Sequence, residues 1–430
     1  MKKSDFDGED AGKELVHRAK KDADVEDPDF AMVFCSFSFD IEKMRKALSE
    51  ELGDAPWIGA TTNGEILNEG PGRKTAVMMV ISSEKMDFDS GIEEGIFDDA
   101  EGAGKRLADE LVDDEFIDSD RDKLFLMVNS YDSFYPGAET EILEGVREVI
   151  GSEAPIVGGA AGDDFSFKGS KVFNGEKVTS SGVAAATLET DYSIEMDQRN
   201  GVTSQIATGM VTDCGPGDAR LNEIDGVPAL EWYAEKIEVP KWKLKLPFSY
   251  GDWFRDLRTL LKLTPKIIRY ILREREMPRM ARRGVNYAMN YPFVDGLTPA
   301  ENRVRIPLDI RGNSIIFYRP PIYENMEIGV GVSSTASCME CAKSLFDEST
   351  GETVFGFVSD CALRNFLLEK GDIGFEQSDQ SGKEVENLNK AIGGPFIGFY
   401  TYGELGGKDK YNCNFKTYTL TSFVVKKDDE

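Results

Sequence analysis

A mixed α/β fold built from internally repeated units is predicted for this chain by three observations. A ten-residue pattern of Pro, two apolar residues, Gly, a variable stretch and an acid occurs at 56–65, 155–164 and 395–404. Before each copy, segments with apolar residues three and four positions apart flank a short run rich in Val and Phe, which indicates two amphipathic helices around a buried strand. Further strand candidates follow each copy. The predicted unit is therefore helix, strand, helix and motif strand, with added antiparallel strands.

The elements are predicted in the same order in all three copies. Each listing gives the first helix, the strand and the second helix: 10–21, 30–40 and 41–52 in the first copy; 102–113, 123–133 and 138–151 in the second; 336–347, 353–364 and 383–393 in the third. The added strands are 76–84, 88–96, 182–190, 193–201 and 414–425. AGK followed by Leu two residues later occurs in the first helix of the first two copies, which supports a repeat.

Proline and glycine explain why the motif has this form. Each copy opens with a proline that ends the preceding helix, because proline cannot continue the hydrogen-bond ladder: Pro56, Pro155 and Pro395. A glycine then predicts a close backbone approach or a positive φ: Gly59, Gly158 and Gly398. A second glycine predicts a tight bend beside an acid: Gly64, Gly162 and Gly403.

Two interpretations of these corners remain open. In one, the motif residues are turn chemistry that holds the fold together. In the other, the corners line a cavity and contact a small ligand, which makes seven side chains candidate binding residues: Thr62, Asn63, Glu65, Asp163, Asp164, Tyr402 and Glu404.

Composition restricts the classes of protein to which the chain can belong. With 430 residues and 40% hydrophobic content the chain has enough apolar surface for two or three domains with real cores. A net charge of −28 disfavours nucleic acid and anionic lipid as partners of the whole protein. Two explanations of this negative charge remain open: the protein is adapted to high salt, or it is an ordinary acidic cytosolic protein. No apolar run reaches ~18 residues and the first residues lack a signal sequence, so a cytoplasmic location is predicted.

Cysteine and histidine usage predicts neither a metal site nor a disulfide framework. The six cysteines mostly lie within apolar strings, as buried free thiols do. Cys338 and Cys341 form a CxxC on a predicted helix without a second pair to complete four zinc ligands, so we expect them to face the core.

The order and spacing of these strings resemble the FIST family, whose paired N- and C-terminal domains form a sensory module. The likeness rests on VFCSFSFD, WIGATTNGEI, IVGGAAGDD and IDGVPALEWYAE in the first part of the chain, and on YPF, GFVSDCALR and FIGFYTYGELG in the second. It covers nearly the whole chain from about residue 28. The resemblance implies a FIST N-like domain over 1–237, a linking insertion over 238–286 and a FIST C-like domain over 287–430, with the two domains packed together.

The resemblance implies a function in signal transduction. Members of the family are regarded as binding small molecules, with amino acids as the proposed class, and some are fused to transmitter domains. No such domain is recognisable before the end of this chain, so we expect signalling through a separate partner. One branch binds haem, but the single histidine, His17, aligns with the solvent-facing Asp109 of the second copy. A haem cofactor is therefore not predicted, and no other cofactor is.

Cys361 and Arg364 stand at positions that the family pattern requires. Arginine grips carboxylates with paired hydrogen bonds, so Arg364 is a candidate contact for an amino-acid ligand, with Glu65 or Glu404 meeting its ammonium group. A structural arginine paired with these glutamates is the alternative. An enzyme that uses Cys361, or the adjacent Asp163 and Asp164, is a competing functional class, although no histidine base is available to activate the thiol.

A basic segment between the two FIST-like halves breaks the acidic character of the chain. Residues 241–283 contain 13 Lys and Arg against four acids and predict two amphipathic helices. The segment is predicted to dock a partner, to lie on a membrane surface, or to fold back on the acidic body as a clasp. Its candidate contact residues are Trp253, Arg255, Arg258, Lys262, Lys266, Arg269 and Arg273. A scaffold that recruits a partner through this segment is thus a third functional class.

Overall fold

The computed structural model describes residues 1–3, 5–131, 137–151, 154–166, 168–215, 220–244, 287–295, 303–317, 322–347, 349–373, 379–408 and 413–427. The helices among these residues are α1 Gly8–Ala23, α2 Ile41–Leu52, α3 Ala100–Leu111, α4 Asp114–Asp118, α5 Ala138–Ile150, α6 Ala229–Lys236, α7 Thr335–Lys343, α8 Ala362–Lys370 and α9 Ser381–Ile392. The candidate contact residues of the basic segment, from Trp253 to Arg273, lie outside the described residues.

The strands of the first two copies are β1 Phe30–Ser36, β2 Trp57–Thr62, β3 Glu65–Leu67, β4 Gly70–Gly72, β5 Ala76–Ile81, β6 Met86–Glu94, β7 Asp122–Asn129, β8 Ile156–Ala160, β9 Val172–Asn174, β10 Val178–Thr179, β11 Gly182–Thr190 and β12 Ser193–Asn200. The later strands are β13 Val202–Cys214, β14 Arg220–Ile224, β15 Val227–Pro228, β16 Phe293–Asp295, β17 Arg303–Arg305, β18 Pro307–Arg311, β19 Ser314–Phe317, β20 Glu327–Ser333, β21 Glu352–Cys361, β22 Phe396–Thr401, β23 Glu404–Gly406, β24 Asn414–Lys416 and β25 Thr419–Lys427. The predicted mixed α/β class is confirmed.

Each copy of the repeat forms the same three-stranded core. In the first copy β1 pairs in parallel with β2 and antiparallel with β5. In the second copy β7 pairs in parallel with β8 and antiparallel with β11. In the third copy β21 pairs in parallel with β22 and antiparallel with β25. The parallel pair requires a crossover, which the helix before each motif proline supplies.

The copies also exchange hairpins in a cycle. The first copy contributes the hairpin β3–β4 to the sheet of the third, where β3 pairs with β22. The third contributes β23–β24 to the sheet of the second, where β23 pairs with β8. The second contributes β9–β10 to the sheet of the first, where β9 pairs with β2. Every copy therefore completes the sheet of another.

Apolar side chains pack on both faces of these sheets. One buried cluster contains residues of all three copies, such as Phe34, Leu126 and Phe357, and Phe34 stacks on Phe399 with ring centroids 4.4 Å apart. The outer faces are covered by helices, with α1 and α2 over the first sheet and α3 and α5 over the second. These strands are buried on both faces, which explains why they read as continuous apolar runs.

The chain divides into two compact units. The first comprises Met1–Asn200, Cys338–Glu369 and Asp379–Glu430, and contains all three copies of the motif. The second comprises Gly201–Ser337 and Lys370–Ser378. Its eight-stranded sheet runs in the order β17-β16-β20-β13-β14-β19-β18, with β15 beside β14. Its core includes Tyr233 stacked on Phe293 with centroids 4.7 Å apart. None of the described helices is long and apolar enough to span a membrane.

Two predicted elements differ from the structure. The strand predicted over 353–364 ends at Cys361, and α8 begins at Ala362, so Arg364 lies on a helix. Leu367 and Leu368 are fully buried, and packing of this apolar face favours the helix over a longer strand. The strand predicted over 414–425 is two strands separated by a turn in which Tyr418 has a φ of 63°.

Candidate functional site

The three motif corners meet in a ring of backbone hydrogen bonds. Gly162 N donates to Thr61 O at 2.8 Å, Asn63 N donates to Tyr400 O at 3.1 Å, and Tyr402 N donates to Ala160 O at 3.1 Å. The three donors occupy the same motif position, as do the three acceptors, so the ring closes with pseudo-threefold symmetry. The corners lie at the carboxyl ends of the parallel strands, where binding groups are commonly found in α/β proteins.

Two glycines of the second copy stand where neighbouring atoms leave no room for a side chain. A Cβ on Gly158 would lie 1.7 Å from Met127 O, and the residue has a φ of +149° that side chains disfavour. A Cβ on Gly162 would lie 2.4 Å from the side-chain nitrogen of Asn63. The prediction of a close backbone approach at Gly158 is confirmed. At Gly162, where the sequence predicts a tight bend, the side chain of Asn63 from another corner occupies the space that a Cβ would need.

The motif glutamates of the first and third copies hold their corners to a following strand. Glu404 Oε1 accepts from Thr401 Oγ1 at 2.5 Å, while Oε2 accepts from the backbone and hydroxyl of Thr419 at 3.0 and 2.9 Å. Glu65 bonds in the same way to Thr62 and Thr75. Both carboxyls are fully buried, and burial raises the pKa of each to about 7.

The corner of the second copy departs from this arrangement. Ala161 replaces the threonine, and Asp164 replaces the glutamate. Asp164 has a φ of 57° and is half-buried, and its Oδ2 accepts from Ser36 Oγ at 2.6 Å. Partial burial raises the pKa of Asp164, and the positive charges of Lys74 and Arg73 reduce this rise. Asp164 is thus the one acid of the three equivalent positions that reaches the protein surface.

The neighbouring candidates stabilise the loop that carries Asp164. Asp163 Oδ1 accepts from the hydroxyl of Tyr402 at 2.7 Å, and its Oδ2 accepts from Ser166 Oγ at 2.9 Å. Asn63 Oδ1 accepts from Phe165 N at 3.1 Å, next to Asp164. The structure therefore brings Thr62, Asn63, Glu65, Asp163, Asp164, Tyr402 and Glu404 into one region, and it gives most of them partners inside the protein.

Cys361 and Arg364 are both buried, and Arg364 lies in a fully buried ionic cluster. Arg364 Nε pairs with Asp360 at 2.7 Å, and its Nη2 pairs with Glu384 at 2.9 Å and with the carbonyl of Cys338 at 3.1 Å. Burial raises the pKa of Glu384 well above its usual range. The ion-pair partners of Arg364 are thus Asp360 and Glu384, not the motif glutamates. Burial also raises the pKa of the Cys361 thiol well above normal.

Two family models match this chain. Residues 29–227 match the FIST N domain, and residues 269–407 match the FIST C domain. The chain belongs to the FIST family. FIST domains are sensory domains that serve signal transduction, and the resemblance inferred from the motifs is confirmed. A comparison with curated proteins gives no match.

The FIST domains do not coincide with the compact units. The FIST N match contains the first two motif copies, and the third lies in the FIST C match. Cys338–Glu369 and the part of the FIST C match after Asp379 nevertheless belong to the same unit as Met1–Asn200. The pseudo-threefold ring therefore requires residues of both FIST domains.

Four functional partners were not predicted from the sequence. Thr75 directly precedes β5 and Thr419 is the first residue of β25, so both stand at the start of the antiparallel strand that follows a motif, a position that alignment of the copies reveals. Glu384 gives no local signal, since it is an ordinary acid in a polar string. Asp360 is an acid within an apolar strand string, but the identity of its partner depends on the fold. His17 is exposed on α1, as its repeat position predicts.

Proposed function

We propose that this FIST protein senses a small zwitterionic molecule, such as an amino acid, and signals through a separate partner protein. The observation that carries the proposal is the broken symmetry of the ring. Two of its three acids are buried and hydrogen-bonded to threonines, whereas Asp164 is half-exposed. A carboxylate at the ends of parallel strands, on an otherwise internally bonded ring, is well placed to receive an ammonium group.

Charges near Asp164 suit a ligand that carries both signs. Lys74, which is exposed and has a φ of 53°, lies close enough to favour the ionised form of Asp164. Arg73 contributes in the same direction, but its guanidinium is already engaged by Glu369 and by Asn365 at 2.9 Å. Lys74 is therefore the better candidate for a ligand carboxylate. Ser36, bonded to Asp164, adds a hydroxyl beside the same point.

The other predicted residues support the site in this proposal. Glu65 and Glu404 fix the corners, and Asp163 with Tyr402 fixes the loop before Asp164. Arg364 and Cys361 lie too deep to reach a ligand at the surface, since both side chains are buried. In this proposal the protein is not an enzyme, and Cys361 and Asp163 have no catalytic role. Loss of a measured turnover in Cys361→Ser would count against it.

A thermal-shift screen of amino acids in high salt tests the proposal. A ligand at about 100 times its Kd adds roughly 2.7 kcal/mol to the free energy of unfolding, which a melting curve detects. We expect Asp164→Asn to abolish the shift of the active compound. The control Asp54→Asn removes an exposed carboxylate before the opposite end of β2 and should retain the shift. A shift that survives in Asp164→Asn would place the ligand elsewhere.

A further inference from the structure

We propose that the first unit also binds a short, extended, basic peptide of a partner protein, along the free edge of β12. The site is a groove of about 1310 Å³, lined by the segment 117–123 before and within β7, by β12, and by Phe346, Asp347 and Ser349 after α7. Its base includes the apolar side chains of Ile194 and Met196. This proposal concerns a different surface from the ring and does not depend on the ligand proposed there.

Backbone groups of β12 point into the groove. β12 pairs with β25, and among the described strands it has no second neighbour. Ile194 N donates to Asp122 Oδ2 at 2.7 Å, and Gln198 N donates to Asp197 Oδ1 at 2.7 Å. The backbone N–H groups of the even-numbered residues of β12 therefore point away from β25. Met196 lies between them, is half-buried, and its N–H has no partner among the described residues. Such a group is available to pair with an added strand.

The charge of the groove selects a basic partner. Four of its acids have no cation within ion-pair distance among the described residues: Asp118, Asp120, Glu195 and Asp347. The lining arginines are already occupied, since Arg121 Nε pairs with Asp191 at 2.9 Å and Arg199 Nη2 pairs with Asp197 at 2.8 Å. Lys123 donates to the carbonyls of Phe116 and Ile117 at 2.7 Å, and Lys408 is the remaining base of the lining.

An extended peptide uses both features together. Its backbone would pair with Met196. Lys or Arg at alternate positions would all lie on one face of the added strand, from which they could reach acids of the lining, because side chains of a strand alternate in direction. Acidic residues beside a free edge also protect such edges from nonspecific pairing. Peptide recognition and protection of the edge differ in one respect: only peptide recognition requires the N–H of Met196 to be available.

Fluorescence anisotropy with a labelled peptide of alternating lysine and valine tests the proposal on the full chain. The variant Met196→Pro removes the outward N–H without removing a bond to β25, a placement that edge strands tolerate. We expect at least about a tenfold loss of affinity, which corresponds to about 1.4 kcal/mol. The matched control Met196→Ala keeps the N–H and should bind within about twofold of the parent. Asp120→Asn should weaken binding and reduce its dependence on salt.

A second probe covers the case in which Met196→Pro does not fold. The same peptide with N-methylated backbone amides keeps its charges but cannot pair with a strand, so it should bind the unaltered protein at least about tenfold more weakly. Equal binding of the methylated and parent peptides, or competition by a free polyamine as effective as that by the peptide, would show a nonspecific acidic surface. Either result, or no binding of the parent peptide, would overturn the proposal.

Discussion

Replacing Glu404 by Gln should remove a loss of stability that the protein suffers as the pH rises. The carboxyl is fully buried, and burial raises its pKa from 4.5 to about 7. Because the folded pKa lies above the unfolded value, the native state binds more protons than the unfolded state between these pH values. The stability contributed by this group is therefore complete below the unfolded pKa and is lost as the pH rises through the folded pKa.

The size of the effect follows from the shift. A change of one pKa unit corresponds to about 1.4 kcal/mol, so a rise from 4.5 to about 7 costs roughly 3 kcal/mol when Glu404 is fully ionised. Gln reproduces the neutral acid closely. Its carbonyl oxygen can accept from the backbone and hydroxyl of Thr419, and its amide can donate to Thr401 Oγ1, the positions that the two carboxyl oxygens occupy now.

Urea denaturation of both proteins at pH about 4 and about 8 measures the difference. We expect similar free energies of unfolding at the lower pH, and an advantage of roughly 3 kcal/mol for Glu404→Gln at the higher pH. The exposed carboxylate of Asp98 provides a control, since Asp98→Asn should give no such pH-dependent advantage. A difference between Glu404→Gln and the parent that is the same at both pH values would refute the assignment of Glu404 as a buried acid that ionises on this scale.

Three further substitutions, with Gly151→Ala as the control for one of them, test the architecture by urea denaturation. Arg364→Ala leaves two buried carboxyls without their cation and should cost about 3–5 kcal/mol, whereas a loss under about 1 kcal/mol would contradict the ionic cluster. Gly158→Ala should prevent folding through its contact with Met127 O, while Gly151→Ala, with a φ of +63° but open space around it, should cost only about 1–2 kcal/mol. Tyr402→Phe removes the hydrogen bond to the Asp163 carboxylate and should cost about 1.5–3 kcal/mol, with an unchanged midpoint counting against that bond.

The repeat made much of the fold predictable. Residues 41–52 and 182–190 have the predicted bounds of α2 and β11, and the three motif prolines follow helices as expected. These predictions succeeded because apolar periodicity and proline act locally. The close backbone approach at Gly158 was also predictable, because glycine stands at this place in each copy, as Gly59, Gly158 and Gly398.

The electrostatic partners could not be predicted, because they depend on tertiary contacts. The repeat favours a motif glutamate that faces a ligand, yet Glu65 bonds to Thr75, ten residues later and directly before β5. Arg364 was placed after a turn, and the helix that carries it instead directs it towards Glu384 on α9. Ligand contact at the motif corners stays a prediction, and our proposal assigns it to Asp164 because Glu65 and Glu404 are fully buried.

The exchanged hairpins make each repeat dependent on the other two. Withdrawing β3 from β22 would leave the third sheet with an open edge, and the same holds for β23 on β8 and for β9 on β2. No repeat can loosen without unpairing a strand of its neighbour, so strain introduced at one corner is shared by all three. A molecule bound beside Asp164 would thus act on all three repeats at once, which would let binding at one corner change the sheets of the other two.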